Sequence, residues 1–274
     1  MVTFRHVSTF VGAEFMLVTG VTDLDLRWGR DGPVLYATTR PGGGITALRV
    51  DGGGMDLLDR TYIAGVATVG QDPGLHLVER EGGVQALVSG VDGRALAAYA
   101  VGDLGGITAI APLRPTALPH GDMTRMIVVE TGGRTLIYAA HRDSAGISTY
   151  GFGPEQSLFL SGMLVSSAQQ GLAGNDVSAF ASINHAGRTF LLAATFSDDR
   201  IASYEIGATG LPVLRSGRGM AEGLGIADPT ALETVTLADR AYVIVASAGS
   251  STLTVLELGQ RGGASGHRSC AGRP

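Results

Sequence analysis

The chain has 274 residues, 45% hydrophobic and 16% charged, with a net charge of −5. That is long and apolar enough for a large core, while the acidic balance and the lack of a basic tract argue against nucleic acid or an anionic membrane as partner. The single cysteine, Cys270, excludes an internal disulfide, and no run of about 20 apolar residues offers a membrane span.

All 20 basic residues are arginine. The N-terminal stretch MVTFRHVSTFVGAEFMLVTG has no basic region followed by a clean apolar segment, because Glu14 interrupts it, so it does not read as a signal peptide. Residues 3–9 read as an extra strand, and Phe15–Thr19 is a second short apolar run. From Asp23 onward the chain repeats one unit, most legible in Asp176–Gly217. There, Val177–Asn184 alternates, and His185-Ala-Gly-Arg188 turns the chain. Thr189–Thr195 is nearly continuous in apolar residues, as a strand buried on both faces should be. Ser197-Asp-Asp-Arg200 is a polar hairpin turn, Ile201–Ile206 alternates, and Leu211–Leu214 closes the unit.

Second-strand anchors recur as Val34–Thr38, Ala86–Gly90, Leu136–Ala140, Phe190–Ala194 and Tyr242–Ala246. A third-strand position recurs as Leu48, Tyr99, Tyr150, Tyr204 and Leu256, at intervals of 51, 51, 54 and 52 residues. A period near 50 with four strands per unit predicts an all-β chain, a β-propeller of about five four-stranded blades. The units lie near 23–70, 75–117, 122–165, 176–217 and 228–259, as one propeller over 1–259. The Gly/Arg/Ser-rich stretch 260–274 predicts a disordered tail, leaving the last blade incomplete, as a truncated or frame-shifted coding sequence would. The ring then closes through Thr3–Thr9 or stays an open arc with an apolar face that aggregates or needs a partner.

An aspartate opens four units: Asp23, Asp122, Asp176 and Asp228. If the first strand lines a central channel, these carboxylates ring one mouth, and hard oxygen ligands there suit Ca²⁺. The competing reading makes each a loop cap bonded to nearby backbone, and structural devices are what recur in every repeat. The second unit has Gly74-Leu75-His76 in place of the aspartate, and such asymmetry marks where a ligand site is sought first. His76, Glu79 and His141 are the candidate ligand rim, with Asp122 beside them. The six histidines show no metal-ligand spacing, and the glycine-rich segments match neither a nucleophile elbow nor a phosphate loop.

The segments DPTALETVTLADRAYVIVASAGSSTLTVLELG (Asp228–Gly259), DVSAFASINHAGRTFLLAAT and PVLYATTRPGGGITALRV resemble the N-terminal propeller region of alphaproteobacterial RTX-type (hemolysin-type) calcium-binding proteins. A looser similarity runs to YVTN/lactonase-like propellers. The RTX resemblance implies Ca²⁺ held by glycine/aspartate-rich nonapeptides, export without an N-terminal signal peptide, and an extracellular location; without it the chain reads as cytoplasmic. No such nonapeptide occurs in this chain. Two readings follow. One is a non-catalytic interaction or structural module of an exported protein, binding a protein or carbohydrate. The other is a lactonase-like hydrolase with a metal or carboxylate site at the channel mouth.

Overall fold

The computed structural model describes residues 20–40, 43–63, 72–80, 82–90, 95–115, 122–141, 144–154, 157–165, 176–259 and 264–271, with Thr9, Ser167, Leu172 and Gly262. The predicted closing strand Thr3–Thr9, apart from Thr9, and the apolar run Phe15–Thr19 lie outside them. The described strands follow one another in five runs of four, the blades of a β-propeller, and the first, fourth and fifth runs are each a separate sheet with its strands in chain order. The first contains β1 (Val21–Gly29), β2 (Gly32–Thr39), β3 (Gly44–Val50) and β4 (Met55–Tyr62). The second contains β5 (Leu75–Arg80), β6 (Gly83–Val88), β7 (Leu96–Val101) and β8 (Ile107–Pro115), and the third β9 (Met123–Thr131), β10 (Arg134–His141), β11 (Ser144–Phe152) and β12 (Ser157–Val165). The fourth has β13 (Val177–His185), β14 (Arg188–Thr195), β15 (Arg200–Ile206) and β16 (Pro212–Gly219); the fifth has β17 (Pro229–Leu237), β18 (Arg240–Ser247), β19 (Thr252–Leu258) and β20 (Ala264–Ala271). Among the described residues no helix is long and apolar enough to cross a membrane.

The chain divides into two compact units, Met1–Arg114 with Asp122–Thr124, and Pro115–Gly121 with Arg125–Pro274. In unit 1 the first and second blades enclose a core of Val34, Tyr36, Ile45, Ala47, Val84, Ala86, Val88 and Tyr99. In unit 2 the third and fourth blades share a core around Tyr138, Ile147, Leu191, Ala193 and Tyr204. The fourth and fifth share another around Phe190, Leu192, Ala194, Val243, Val245 and Leu256. Thus β14 sends Leu191 and Ala193 into one core and Phe190, Leu192 and Ala194 into the other, which is why its sequence is continuously apolar.

Tight turns set the hairpins. Gly132-Gly133, Ala186-Gly187 and Ala238-Asp239 have positive φ at both residues, as two-residue turns matched to strand twist require. At Ala238 (φ 45°) and Asp239 (φ 64°) that conformation is held without glycine.

The third-strand column is confirmed: Leu48, Tyr99, Tyr150, Tyr204 and Leu256 are all buried. In four blades it pairs with the predicted second-strand residue, as Leu35↔Leu48, Ile137↔Tyr150, Leu191↔Tyr204 and Val243↔Leu256. In the second blade Tyr99 pairs with Ala86 rather than Leu87, so the sequence alignment there is one residue out of step. A one-residue slip exchanges the two faces of a strand.

The tail is a second correction. Ala264–Ala271 is not disordered; it pairs with β19 from Thr252↔Ala271 to Leu258↔Ala264 and completes the fifth blade. Its ladder carries a bulge at Leu256/Glu257. In the first, third and fourth blades the bulge comes one residue earlier relative to that column, at Ala47/Leu48, Thr149/Tyr150 and Ser203/Tyr204, and in the second blade it lies at Leu96/Ala98. Composition misled because a ladder is made by backbone N–H and C=O groups, and the open edge of β19 supplies them whatever side chains arrive.

Tyr138 and Tyr204 are fully buried, and burial raises both phenols well above their ordinary value. Tyr138 also donates to the Gly210 carbonyl across the blade boundary at 2.7 Å. In the unfolded chain these groups ionise near pH 10. The folded state keeps protons that the unfolded state has lost, so stability is complete below about pH 10 and falls above it. Absorbance titration should show both phenols ionising only as the protein unfolds, with urea midpoints dropping as the pH rises above about 10. Titration of all seven tyrosines near pH 10 in the folded protein would contradict this.

Candidate functional site

The opening aspartates do different things. Asp23 sits inside β1: its Oδ1 accepts from the Leu24 N–H at 2.9 Å and its Oδ2 from Leu75 of β5 at 2.8 Å. Asp25 repeats the arrangement with Leu26 and Leu77, both at 2.8 Å. Asp59 of β4 does so with Arg60 at 2.8 Å and Ile107 of β8 at 2.7 Å. In each case one carboxylate ties a backbone donor of the first blade to a backbone donor of the second.

Asp176 and Asp228 occupy a different position. Their carbonyls accept from Phe196 (3.1 Å) and Ala248 (3.0 Å), the residues just past the second strand, where Gly20 accepts from Arg40 (3.1 Å) in the first blade. Two residues on, the chain bulges at Thr22, Ser178 and Thr230. The Ser178 and Thr230 hydroxyls donate to the equivalent second-strand carbonyls, of Ala194 (3.3 Å) and Ala246 (3.4 Å), while the Thr22 hydroxyl lies 3.3 Å from the Thr38 carbonyl and donates to the Pro73 carbonyl at 2.7 Å. The true equivalent of Asp176 and Asp228 in the first blade is therefore Gly20, not Asp23. The Asp176 carboxylate caps its own hairpin turn through the Ser197 N–H (3.1 Å) and hydroxyl (2.8 Å). Asp228 takes positive φ (49°) with its N–H donating to Asp199 Oδ1 at 2.8 Å. Asp122 immediately precedes β9 and is half-buried. Among the described residues no group of three or more His, Cys, Asp or Glu side chains is placed to hold a metal ion.

His76 and Glu79 both lie on β5 in unit 1, half-buried and exposed. An odd separation along a strand puts them on opposite faces, so they do not form one site. His141, at the end of β10 in unit 2, is 1% exposed. Its Nε2 lies 3.0 Å from Ser148 Oγ and 3.4 Å from the Tyr150 hydroxyl, and the two rings meet edge-on at 6.2 Å. Burial raises the Tyr150 phenol, and the Ser148 hydrogen bond partly offsets that.

A bulge between Ala139 and His141 makes this geometry. Among the described residues the other second-to-third strand ladders are regular, and the second strands of the first, fourth and fifth blades end in Thr39, Thr195 and Ser247 where the third blade has His141. The asymmetry expected in the second blade is thus accompanied by a more chemical one in the third. Sequence reasoning found His141 and the Tyr150 column but missed Ser148. The signal available was a histidine where three other blades place a hydroxyl.

A shallow cleft in unit 1 is lined by Asp31, Val34, Arg49, Leu58, Asp103 and Leu104. Arg49 is paired to Asp56 (2.6 Å) and Asp103 to Arg27 (3.0 Å), so most of its charge is already neutralised.

No family model and no curated protein matches the chain. Solved structures do. The periplasmic gluconolactonase of Pseudomonas aeruginosa aligns over 91% of this chain and 69% of its own, with 17% identity and a TM-score of 0.62. A protein of unknown function from Desulfotomaculum acetoxidans aligns over 92% and 75%, with 10% identity and a TM-score of 0.62. A putative 6-phosphogluconolactonase from Bacteroides uniformis aligns over 89% and 83%, with 14% identity and a TM-score of 0.51. At these identities the likeness establishes the β-propeller fold alone. The RTX resemblance, with the calcium and export it implies, gains no support from them.

Replacing Asp25 by alanine leaves the Leu26 and Leu77 N–H groups without their acceptor. Asp25→Ala should lower the free energy of unfolding by about 1–3 kcal/mol, read from urea denaturation. An unchanged midpoint would show that water replaces the carboxylate without loss.

Proposed function

We propose that the protein is a lactonase-like hydrolase, opening a sugar-derived lactone. The observation that carries this reading is the alignment of some nine-tenths of the chain on a gluconolactonase and a putative 6-phosphogluconolactonase. Lactone hydrolysis needs a base to take a proton from the attacking oxygen and a donor for the departing ring oxygen. In unit 2, His141 offers the base, with a hydroxyl already at 3.0 Å and a phenol at 3.4 Å. The imidazole and the Tyr150 hydroxyl are the proton-carrying pair of this reading, and Ser148 holds the imidazole orientation.

The second reading, a non-catalytic module, is favoured by a specific observation. Asp23, Asp25 and Asp176 are occupied by backbone and hydroxyl donors, and the His141 cluster is shut off from solvent.

The two separate in a pH-stat assay with gluconolactone and 6-phosphogluconolactone, corrected for spontaneous ring opening. The hydrolase reading requires saturable acceleration of one of them. It also requires about a hundredfold loss of kcat in His141→Asn, the scale of a missing general base, with KM little changed. No acceleration by the wild-type chain leaves the non-catalytic reading standing, and full activity in His141→Asn removes the histidine from the mechanism.

A further inference from the structure

Every blade contact within the two units has one polarity. Alternate residues of a second strand point to the following blade and to the preceding one. In β14, Leu192 points into the core shared with the fifth blade and Leu191 into the core shared with the third. The fifth blade follows the same rule, with Val243 and Val245 of β18 facing the fourth blade. Tyr242 and Ile244 therefore face away, half-buried. Leu253 and Val255 of β19 pair with Ala246 and Ile244 on that far face and are 55% and 37% exposed.

The first blade shows the converse. Its following face, with Tyr36, is packed on the second blade. On its preceding face Leu24 and Leu26 of β1 pair with Ala37 and Leu35, and Trp28 with Pro33. Ala37 and Leu48 on that face are buried, but along β1 Leu24, Leu26 and Trp28 are 53%, 51% and 75% exposed. Three large apolar side chains in line, ending in the only tryptophan of the chain, make a patch of the kind that marks an interaction surface.

We propose that these two faces bind each other between two copies of the chain, the following face of the fifth blade of one copy seating the β1 stripe of the other. The contact continues the interface already repeated inside each unit, following face on preceding face, with the same aliphatic and aromatic chemistry. It joins two different surfaces, so it is a head-to-tail association rather than a self-complementary one.

Light scattering on a sizing column should give a mass above that of one 28.1 kDa chain, dissociating on dilution. Trp28 is the sole tryptophan, so its emission should shift to the blue as copies associate. Trp28→Arg and Leu253→Glu each alter an exposed side chain, and far-ultraviolet circular dichroism checks that both still fold. Each alone should weaken self-association at least tenfold. Mixed together they should re-associate as a one-to-one pair, because each variant keeps the face the other has lost. A monomer at all concentrations overturns the proposal, as does a blue-shifted Trp28 in a monomer, which would assign the stripe to a segment of its own chain. Association that survives both substitutions, or variants that fail to pair when mixed, overturns it as well.

Discussion

The structure depends on one constraint: a four-stranded blade is apolar on both faces and thin, so only another blade can remove those faces from water. Burial of apolar surface drives the assembly, and each face alone is half a core. The central strands respond by abandoning alternation. In β14 five successive residues, Phe190 to Ala194, are essentially solvent-free and divide between two cores. The tyrosines of the third-strand column extend this logic, since each adds a large ring to a face. Where the hydroxyl reaches a blade boundary it finds a carbonyl, as Tyr99 does at Tyr62 (3.3 Å).

Packing faces together leaves the first strands side by side with backbone groups that no ladder satisfies. Three devices meet that need. Bulges at Thr22, Ser178 and Thr230 fold a hydroxyl back onto the second strand. Carboxylates of Asp23, Asp25 and Asp59 bridge donors in neighbouring blades. Threonines complete the set, with Thr22 and Thr38 both donating to the Pro73 carbonyl at 2.7 and 3.0 Å. Buried polar groups are costly unless bonded, so these residues add direction and register to the way one blade docks on the next.

This explains which features the sequence exposes. Period, strand order and column positions are legible because apolar burial imposes them on residue type at every repeat. The faces are legible only where register is known: one residue of slip in the second blade moved Leu87 to the wrong side, since glycine and alanine at its edges tolerate either alignment. Asp23 and Asp176 look alike in sequence because both precede an apolar strand. They differ by three positions in the structure, and nothing local records whether a carboxylate reaches a neighbouring blade or its own turn. The tail was illegible because a backbone ladder on an open edge leaves little trace in composition.

Repetition also separates scaffold from chemistry. A feature that recurs in several blades, such as a bulge hydroxyl, belongs to the scaffold, and a buried threonine or serine ends the second strand of the first, fourth and fifth blades. His141 occupies that recurring place with a titratable ring. Among the described residues its ladder is the one second-to-third strand pair that carries a bulge, and Ser148 and Tyr150 turn polar atoms toward it rather than toward a neighbouring carbonyl. A histidine is a poor substitute for a threonine in a purely structural role: it is larger, and it brings a second nitrogen that must also be satisfied. The third blade alone carries a histidine at that strand-end position among the first, third, fourth and fifth blades, which is why the departure from the repeat, rather than the repeated aspartates, is where function is sought.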